Sequence, residues 1–205
     1  GARSAIGTRV PWPATARLHE MLLGVASEVA RSQGLGALGM APLLAARTRP
    51  ALEVVRRLEW PEGHRDSVVA AELSGELQVA GGSLRFRADR VDREEGRLRL
   101  VDYKVGRPLS ELKSAEKRRR DLLAGIRTGR VLQGPAYAEA AGGASCGSYV
   151  YLRADERIDD SARTMEVSAA DDEAADAFHQ AVQVVLEGRR RGVAFARVEE
   201  AGGAA

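Results

Sequence analysis

Cysteine is nearly absent: Cys146 stands alone in 205 residues. One thiol excludes an internal disulfide, a zinc site built from cysteines, and a four-cysteine iron–sulfur cluster held within this chain. Aromatic residues make up only 4% of the sequence, so a core has to be assembled from aliphatic side chains. No apolar run approaches the roughly 20 residues that span a bilayer, and no signal-peptide hydrophobic stretch opens the chain. A soluble protein, most simply cytoplasmic, with no membrane partner is the expectation. A glycine-rich phosphate loop of the Walker type is also missing, which excludes an ATPase motor of that kind. Excess charge is missing too: 31 basic residues against 29 acidic leave a net +2. There is no starting methionine, since the chain opens "GARSAIG"; a domain excised from a longer protein is expected.

What is present is unevenly distributed. The stretch "KSAEKRRRDLLAGIRTGR" (113–130) carries seven Lys/Arg against two acids. The chain is long enough for one well-buried domain. Residues 1–12 read as a loop around "PWP". Ala14 to about Ser32 is helical by the recurrence of Leu18, Leu22, Val25 and Val29. A weaker helix covers about 40–47, and another starts at Pro50, in its first turn, and runs to Trp60. Three strand-like runs, 67–80, 83–92 and 97–105, are separated by "AGG" and "REEG", turn-forming strings that predict antiparallel hairpins. A basic helix over about 109–127 and one from Val131 to Ala141 follow. Strands at 145–153 and 162–168, a long helix over 170–191 and a disordered "AGGAA" tail close the chain. The order predicts a mixed α/β domain whose sheet is covered by helices, with an N-terminal helical segment.

The third strand raises the functional question. In "LRLVDYKVGRP" (98–108) alternate side chains share a face. Asp102 and Lys104 therefore continue the row of Leu98 and Leu100. Asp89, in "RADRVD", falls close to opposite Asp102 if the strands pair through a turn near 93–96. Two carboxylates in register with a lysine nearby suit Mg²⁺ or Mn²⁺, with room for waters and a phosphate. Without a cation the two acids would repel each other. The lysine could orient a water or stabilise charge growing on a phosphate. A plain surface ion pair of Asp102 with Lys104 is the bland alternative. Asp92, nearer the turn, is a better structural partner for Arg87 or Arg90 than Asp89 is.

"FRADRVD…LRLVDYKVG" resembles the core of the PD-(D/E)XK nuclease superfamily, in its RecB-like branch, whose signature is similar to G-x-x-D-R-x-D…DYKTG. "LQGPAYAEA" (132–140) resembles that branch's Gln-x-x-x-Tyr motif at Gln133 and Tyr137. "ARLHEMLLG" (16–24) resembles its N-terminal helix, and Glu72 in "VVAAELSGEL" stands where a first-strand glutamate is frequent. The matches span residues 16–140. The resemblance implies a restriction-endonuclease-like core, with Asp89, Asp102 and the backbone carbonyl of Tyr103 as metal ligands. His19 would be a further ligand, Glu72 another, Lys104 the catalytic lysine, and Gln133 and Tyr137 residues lining the site and substrate path. Val105 replaces the common threonine and Ala88 a frequent glycine; neither change removes a ligand. His19 read by itself is equally a packed or solvent-facing residue beside the apolar stripe, and Glu72 competes with Glu76 four residues on. Gln133 and Tyr137 alone could be a helix-surface pair.

Beside such a site the basic stretch becomes a phosphate-binding surface. Lys113, Lys117, Arg118, Arg119, Arg120, Arg127 and Arg130 are the candidate DNA contacts, making sequence-independent contacts; a solvated helix face is the alternative. The chain is expected to be one domain: 1–66 an N-terminal helical part, 67–141 a catalytic core, 142–200 C-terminal strands and helix. The function implied is a Mg²⁺- or Mn²⁺-dependent DNA nuclease without an iron–sulfur cluster. It would act on DNA, single strands foremost, as the nuclease module of a RecB- or AddB-like helicase-nuclease in double-strand-break processing. Alternatives are an inactive nuclease fold serving as a DNA-binding or scaffolding module, a standalone defence nuclease, or a small-molecule metallohydrolase.

Overall fold

The computed structural model describes residues 8–192; the "AGGAA" tail, read from the sequence as disordered, lies outside the described residues. In chain order the elements are β1 (Thr8–Pro11), α1 (Thr15–Ser32), α2 (Ala41–Glu59), β2 (His64–Val79), β3 (Gly82–Glu94) and β4 (Arg97–Lys104). Then come α3 (Ala115–Arg127), α4 (Gln133–Ala141), β5 (Cys146–Tyr151), β6 (Thr164–Ser168) and α5 (Asp172–Arg190). The strands form one sheet in the order β1-β2-β3-β4-β5-β6. All neighbours run antiparallel except β4 and β5. A parallel pair needs a crossover, which α3 and α4 supply. The sheet is mixed and flanked by helices, the α/β arrangement of a restriction-endonuclease-like core.

The hairpins follow from backbone chemistry. Val79 pairs with Gly82, so β2 and β3 turn on Ala80 and Gly81, both at positive φ (51° and 70°). Glu94 pairs with Arg97, and β3 and β4 turn on Glu95 and Gly96, at 50° and 84°. Two central residues of positive φ match the right-handed twist of the flanking strands.

Three readings of the sequence are corrected. Residues 8–11 form an edge strand on β2 instead of a loop. The two helices expected at 40–47 and 50–60 are one, with Pro50 inside it. Proline removes one helical N–H, and here Ala46, whose carbonyl loses that donor, is exposed to water. The basic helix starts at Ala115 and not near 109, because Ser114 caps it: its side chain accepts from the Lys117 N–H.

Helices cover both faces. On one, α2 buries Val54, Val55 and Trp60 against Val101, Val150 and Leu152, and α1 packs on α2. On the other, α3, α4 and α5 pack Leu122, Ile126, Ala136 and Phe178 against Tyr149, Tyr151 and Val167. Alternation along β4 sends Val101 and Tyr103 to the α2 side, and Leu100, Asp102 and Lys104 to the α4 side.

Helix α4 meets β5 backbone to backbone where Gly134 faces Gly147. A Cβ added at Gly147 would lie 2.0 Å from the Gly134 carbonyl oxygen, and one at Gly134 2.6 Å from the Tyr149 ring. The Tyr149 hydroxyl accepts from the Gly134 N–H at 2.6 Å. Since Tyr149 pairs with Asp102, this contact sets the first turn of α4, and Gln133 with it, above Asp102. Gly147→Ala is therefore expected to push α4 off the sheet, at about 3 kcal/mol, the upper part of the usual overpacking range. A thermal melt would read this as a lowered Tm.

Candidate active site

The β3–β4 ladder runs from Glu94↔Arg97 to Arg90↔Val101. One residue further the register sets Asp89 opposite Asp102, and there regular pairing stops. The Asp89 carboxylate takes the Tyr103 N–H at Oδ2, 2.7 Å away, a donor that a continuing ladder would use. Asp102 is 5% exposed. Its Oδ1 accepts from Gln133 Nε2 at 3.1 Å, and its Oδ2 lies 2.6 Å from Lys104 Nζ. That buried Oδ2 has the ammonium as an ion-pair neighbour yet no hydrogen bond of proper geometry. Lys104 Nζ donates to Gln133 Oε1 at 2.6 Å, so one amide joins the acid to the base.

Electrostatics fit the burial. Removal from water raises the Asp102 pKa above the ordinary carboxylate value; Lys104 pulls it down and Asp89 adds to the rise. The Tyr137 phenol, buried beneath the site, is pushed upward by burial first and by Asp102 and Asp89 next. It donates to the Arg87 carbonyl oxygen at 2.6 Å, tying α4 to β3, and its ring lies 5.4 Å from that of Phe86. Asp89, Asp102, Tyr103, Lys104, Gln133 and Tyr137 therefore converge on one place.

Glu72 reaches the same row: Ala71↔Arg90 and Leu73↔Ala88 flank it, which puts it across from Asp89. Its φ is +56°, and its carboxylate is exposed and 2.7 Å from Arg87 Nε. Glu76, its rival in the sequence, meets Ser83, Gln78 and Arg85 further along the hairpin. Arg87 is a residue sequence reading gave no place in the site, although it shares a strand face with Asp89, two residues on; that alternation was the available signal.

His19 is not brought to the carboxylates. Helix α1 lies behind α2, and exposed His19 lines a cleft of about 360 Å³ with Trp12, Leu18, Arg49, Glu53 and Arg56. The apolar periodicity of α1 marks which face packs, and could not tell which side of the sheet that face would cover.

Among the described residues no three His, Cys, Asp or Glu side chains gather closely enough to hold a metal by themselves. A hard cation of the Mg²⁺ type needs fewer, one or two carboxylates with waters and substrate phosphate completing the octahedron. Asp89 and Asp102 at the ladder's end, with Asp102 Oδ2 short of a hydrogen bond, fit that requirement.

The basic stretch divides in two. Arg119 pairs with Asp171 and Glu173, and Arg127 with Glu173, so α5 neutralises both. Arg118 donates to the Leu112 and Lys113 carbonyls. Lys113, Lys117, Arg120 and Arg130 are exposed, and no ion pair engages them among the described residues. No helix among the described residues is long and apolar enough to cross a membrane.

No curated protein matches the chain. A family model does, over residues 9–202 of the 205, and it describes the superfamily whose motifs "FRADRVD" and "VDYK" occupy the β3–β4 fork. A match of that extent decides the matter: the chain belongs to the PD-(D/E)XK nuclease superfamily.

Proposed function

We propose that this protein is a Mg²⁺- or Mn²⁺-dependent deoxyribonuclease, the nuclease module of a RecB/AddB-like helicase-nuclease that trims single-stranded DNA during double-strand-break processing. Members of the superfamily are generally metal-dependent nucleases. The observation that carries the reading is the fork itself: two carboxylates facing across the end of the β3–β4 ladder, one of them locked to a lysine and a glutamine. The motif pair DRVD and DYK, with Gln-x-x-x-Tyr downstream, supports the RecB-like assignment.

Asp89, Asp102 and the Tyr103 carbonyl would hold the cation, with Glu72 swinging from Arg87 to join them. When bound, it would supply a water of lowered pKa and neutralise charge on the phosphate. Lys104, fixed between Asp102 and Gln133, directs its ammonium toward the attacking water or a non-bridging phosphate oxygen. Hydrolysis is direct, with no covalent intermediate. Gln133 keeps Asp102 turned into the site, and Tyr137 holds α4 against β3.

The test is cleavage of end-labelled single- and double-stranded DNA in Mg²⁺, Mn²⁺ or EDTA. Wild type is expected to cut with either metal and not in EDTA, and Lys104→Ala to lose about 10³-fold in rate, as removal of a preorganised charge-stabilising donor does elsewhere. Wild type that binds DNA and leaves it intact with both metals would support the scaffolding alternative.

Lys113, Lys117, Arg120 and Arg130 are the part of the basic stretch free to meet phosphates. Replacing Lys117 and Arg120 together by alanine is expected to reduce the slope of log K against log salt by about 1.4, near 0.7 for each single-strand phosphate no longer neutralised. Fluorescence anisotropy between 50 and 200 mM salt would read it. Arg119→Ala should change that slope less, since its charge is spent on Asp171 and Glu173.

A further inference from the structure

On the α2 side of the fork lies a buried ion cluster that the chemistry of cleavage does not use. Arg90, Asp92, Arg99 and Glu59 are each 5% exposed or less. Arg90 pairs with Glu59, and with Asp92 at 2.8 Å. Arg99 reaches Glu59 at 2.9 Å and Asp92 at 3.5 Å, and donates to Ser148 at 2.9 Å. The Arg90 guanidinium also lies 5.0 Å from the Trp60 ring centroid. Its position is fixed from three sides.

From that fixed position Arg90 donates through its second terminal nitrogen to the Tyr103 hydroxyl. Tyr103 belongs to both sides of the sheet. Its ring packs toward α2 with Trp60, Val101 and Val150, while its N–H holds Asp89 Oδ2 on the other. Arg90 is the last β3 residue paired with β4, and Tyr103 lies two residues past Val101, the last β4 residue paired with β3, while β4 stays paired with β5 through Lys104. The Arg90–Tyr103 bond therefore crosses the fork just behind the point where the strands part, and the two carboxylates are borne on its arms.

We propose that the Arg90–Tyr103 hydrogen bond is a strut that sets the width of the β3–β4 fork, and with it the separation of Asp89 and Asp102. The anchored guanidinium holds the Tyr103 side chain, Tyr103 holds the β4 arm, and its N–H turns Asp89 so that Oδ1 is left for the cation. Arg90 and Tyr103 are positioning residues; neither touches the metal through its side chain. The strut rests on the metal-site reading above.

The experiment is Mn²⁺ titration of the DNA-free protein by electron paramagnetic resonance, well below the Tm of each variant, with cleavage followed in parallel. Tyr103→Phe removes one oxygen and keeps the ring. It is expected to raise the Mn²⁺ dissociation constant five- to tenfold and to slow cleavage at limiting Mn²⁺, with most of the rate recovered at saturating Mn²⁺. A merely structural role would not produce metal-dependent recovery in a folded variant. Arg90→Lys, which keeps the charge but lacks the fork of donors, should give the same shift and serves if Tyr103→Phe does not fold. Mn²⁺ affinity in either folded variant equal to wild type would overturn the strut. Asp102→Asn separates the two ideas: if it binds Mn²⁺ as wild type does, the metal-site reading fails, and the strut with it.

Discussion

Asp102→Asn is expected to abolish metal-dependent cleavage while raising the Tm of the protein in EDTA at pH 8. Asparagine has nearly the shape of aspartate and its Oδ1 can still accept from Gln133 Nε2, so the packing under α4 survives; its Nδ2 would face the Lys104 ammonium, which is one-third exposed and can turn to water. What disappears is a buried charge. Burial is the largest influence on Asp102 and raises its pKa, Asp89 adds to the rise, and Lys104 offsets the two incompletely. A carboxylate whose folded pKa lies above its unfolded one binds its proton more tightly when folded. The stability it contributes is full at low pH and is lost as pH climbs through the folded value. At pH 8 the ionised group is a liability that asparagine removes, so the variant should melt higher by on the order of a few °C. The gain should shrink as pH falls through the Asp102 pKa, because wild type then becomes neutral there as well. Cleavage should fall at least about 10³-fold, the rate equivalent of about 4 kcal/mol of lost transition-state stabilisation. A lower Tm at pH 8, or cleavage within tenfold of wild type, would contradict this account of Asp102.

The alignment of Asp89 with Asp102 was legible in the sequence because it depends on short-range chemistry. Two turn strings, "AGG" and "REEG", fixed where the hairpins close, and strand alternation then fixed which side chains share a face. Gln133 and Tyr137 came from the resemblance of "LQGPAYAEA" to the family's Gln-x-x-x-Tyr motif, since their spacing alone fits a helix-surface pair equally. Less legible was anything that depends on how distant segments stack. His19 sits on a helix with the expected bounds, yet α1 covers α2 and not the carboxylates. Arg119 and Arg127 looked like DNA contacts because nothing local marks Asp171 and Glu173, some fifty residues on, as their partners. Glu59 gave no signal at all: a glutamate at the end of a helix normally faces water, and only the approach of β3 and β4 makes it the acceptor for two arginines.

Glu59→Ala is expected to be the most destabilising single change in the protein. Glu59 is 4% exposed and accepts from Arg99 through both terminal nitrogens, at 2.9 and 3.1 Å, as well as from Arg90. Exposed pairs such as Arg17–Glu20, with both side chains about two-thirds accessible, contribute under about 1 kcal/mol. Here the alanine would strand guanidinium charge in a dry layer between α2 and the sheet. Breaking a buried pair from one side costs about 3–5 kcal/mol, which for a domain of this size lowers Tm by on the order of 10 °C. Most of that loss is the uncompensated arginine and not the worth of the pair. Removing Arg99 as well should therefore restore part of it: Glu59→Ala with Arg99→Met leaves Arg90 and Asp92 as a balanced pair and fills the space with apolar volume. Thermal melts of the two singles and the double close the cycle. The double is expected to melt above Glu59→Ala, and a double that melts lower, by the sum of the two single losses, would show that the cluster acts through packing and not through charge.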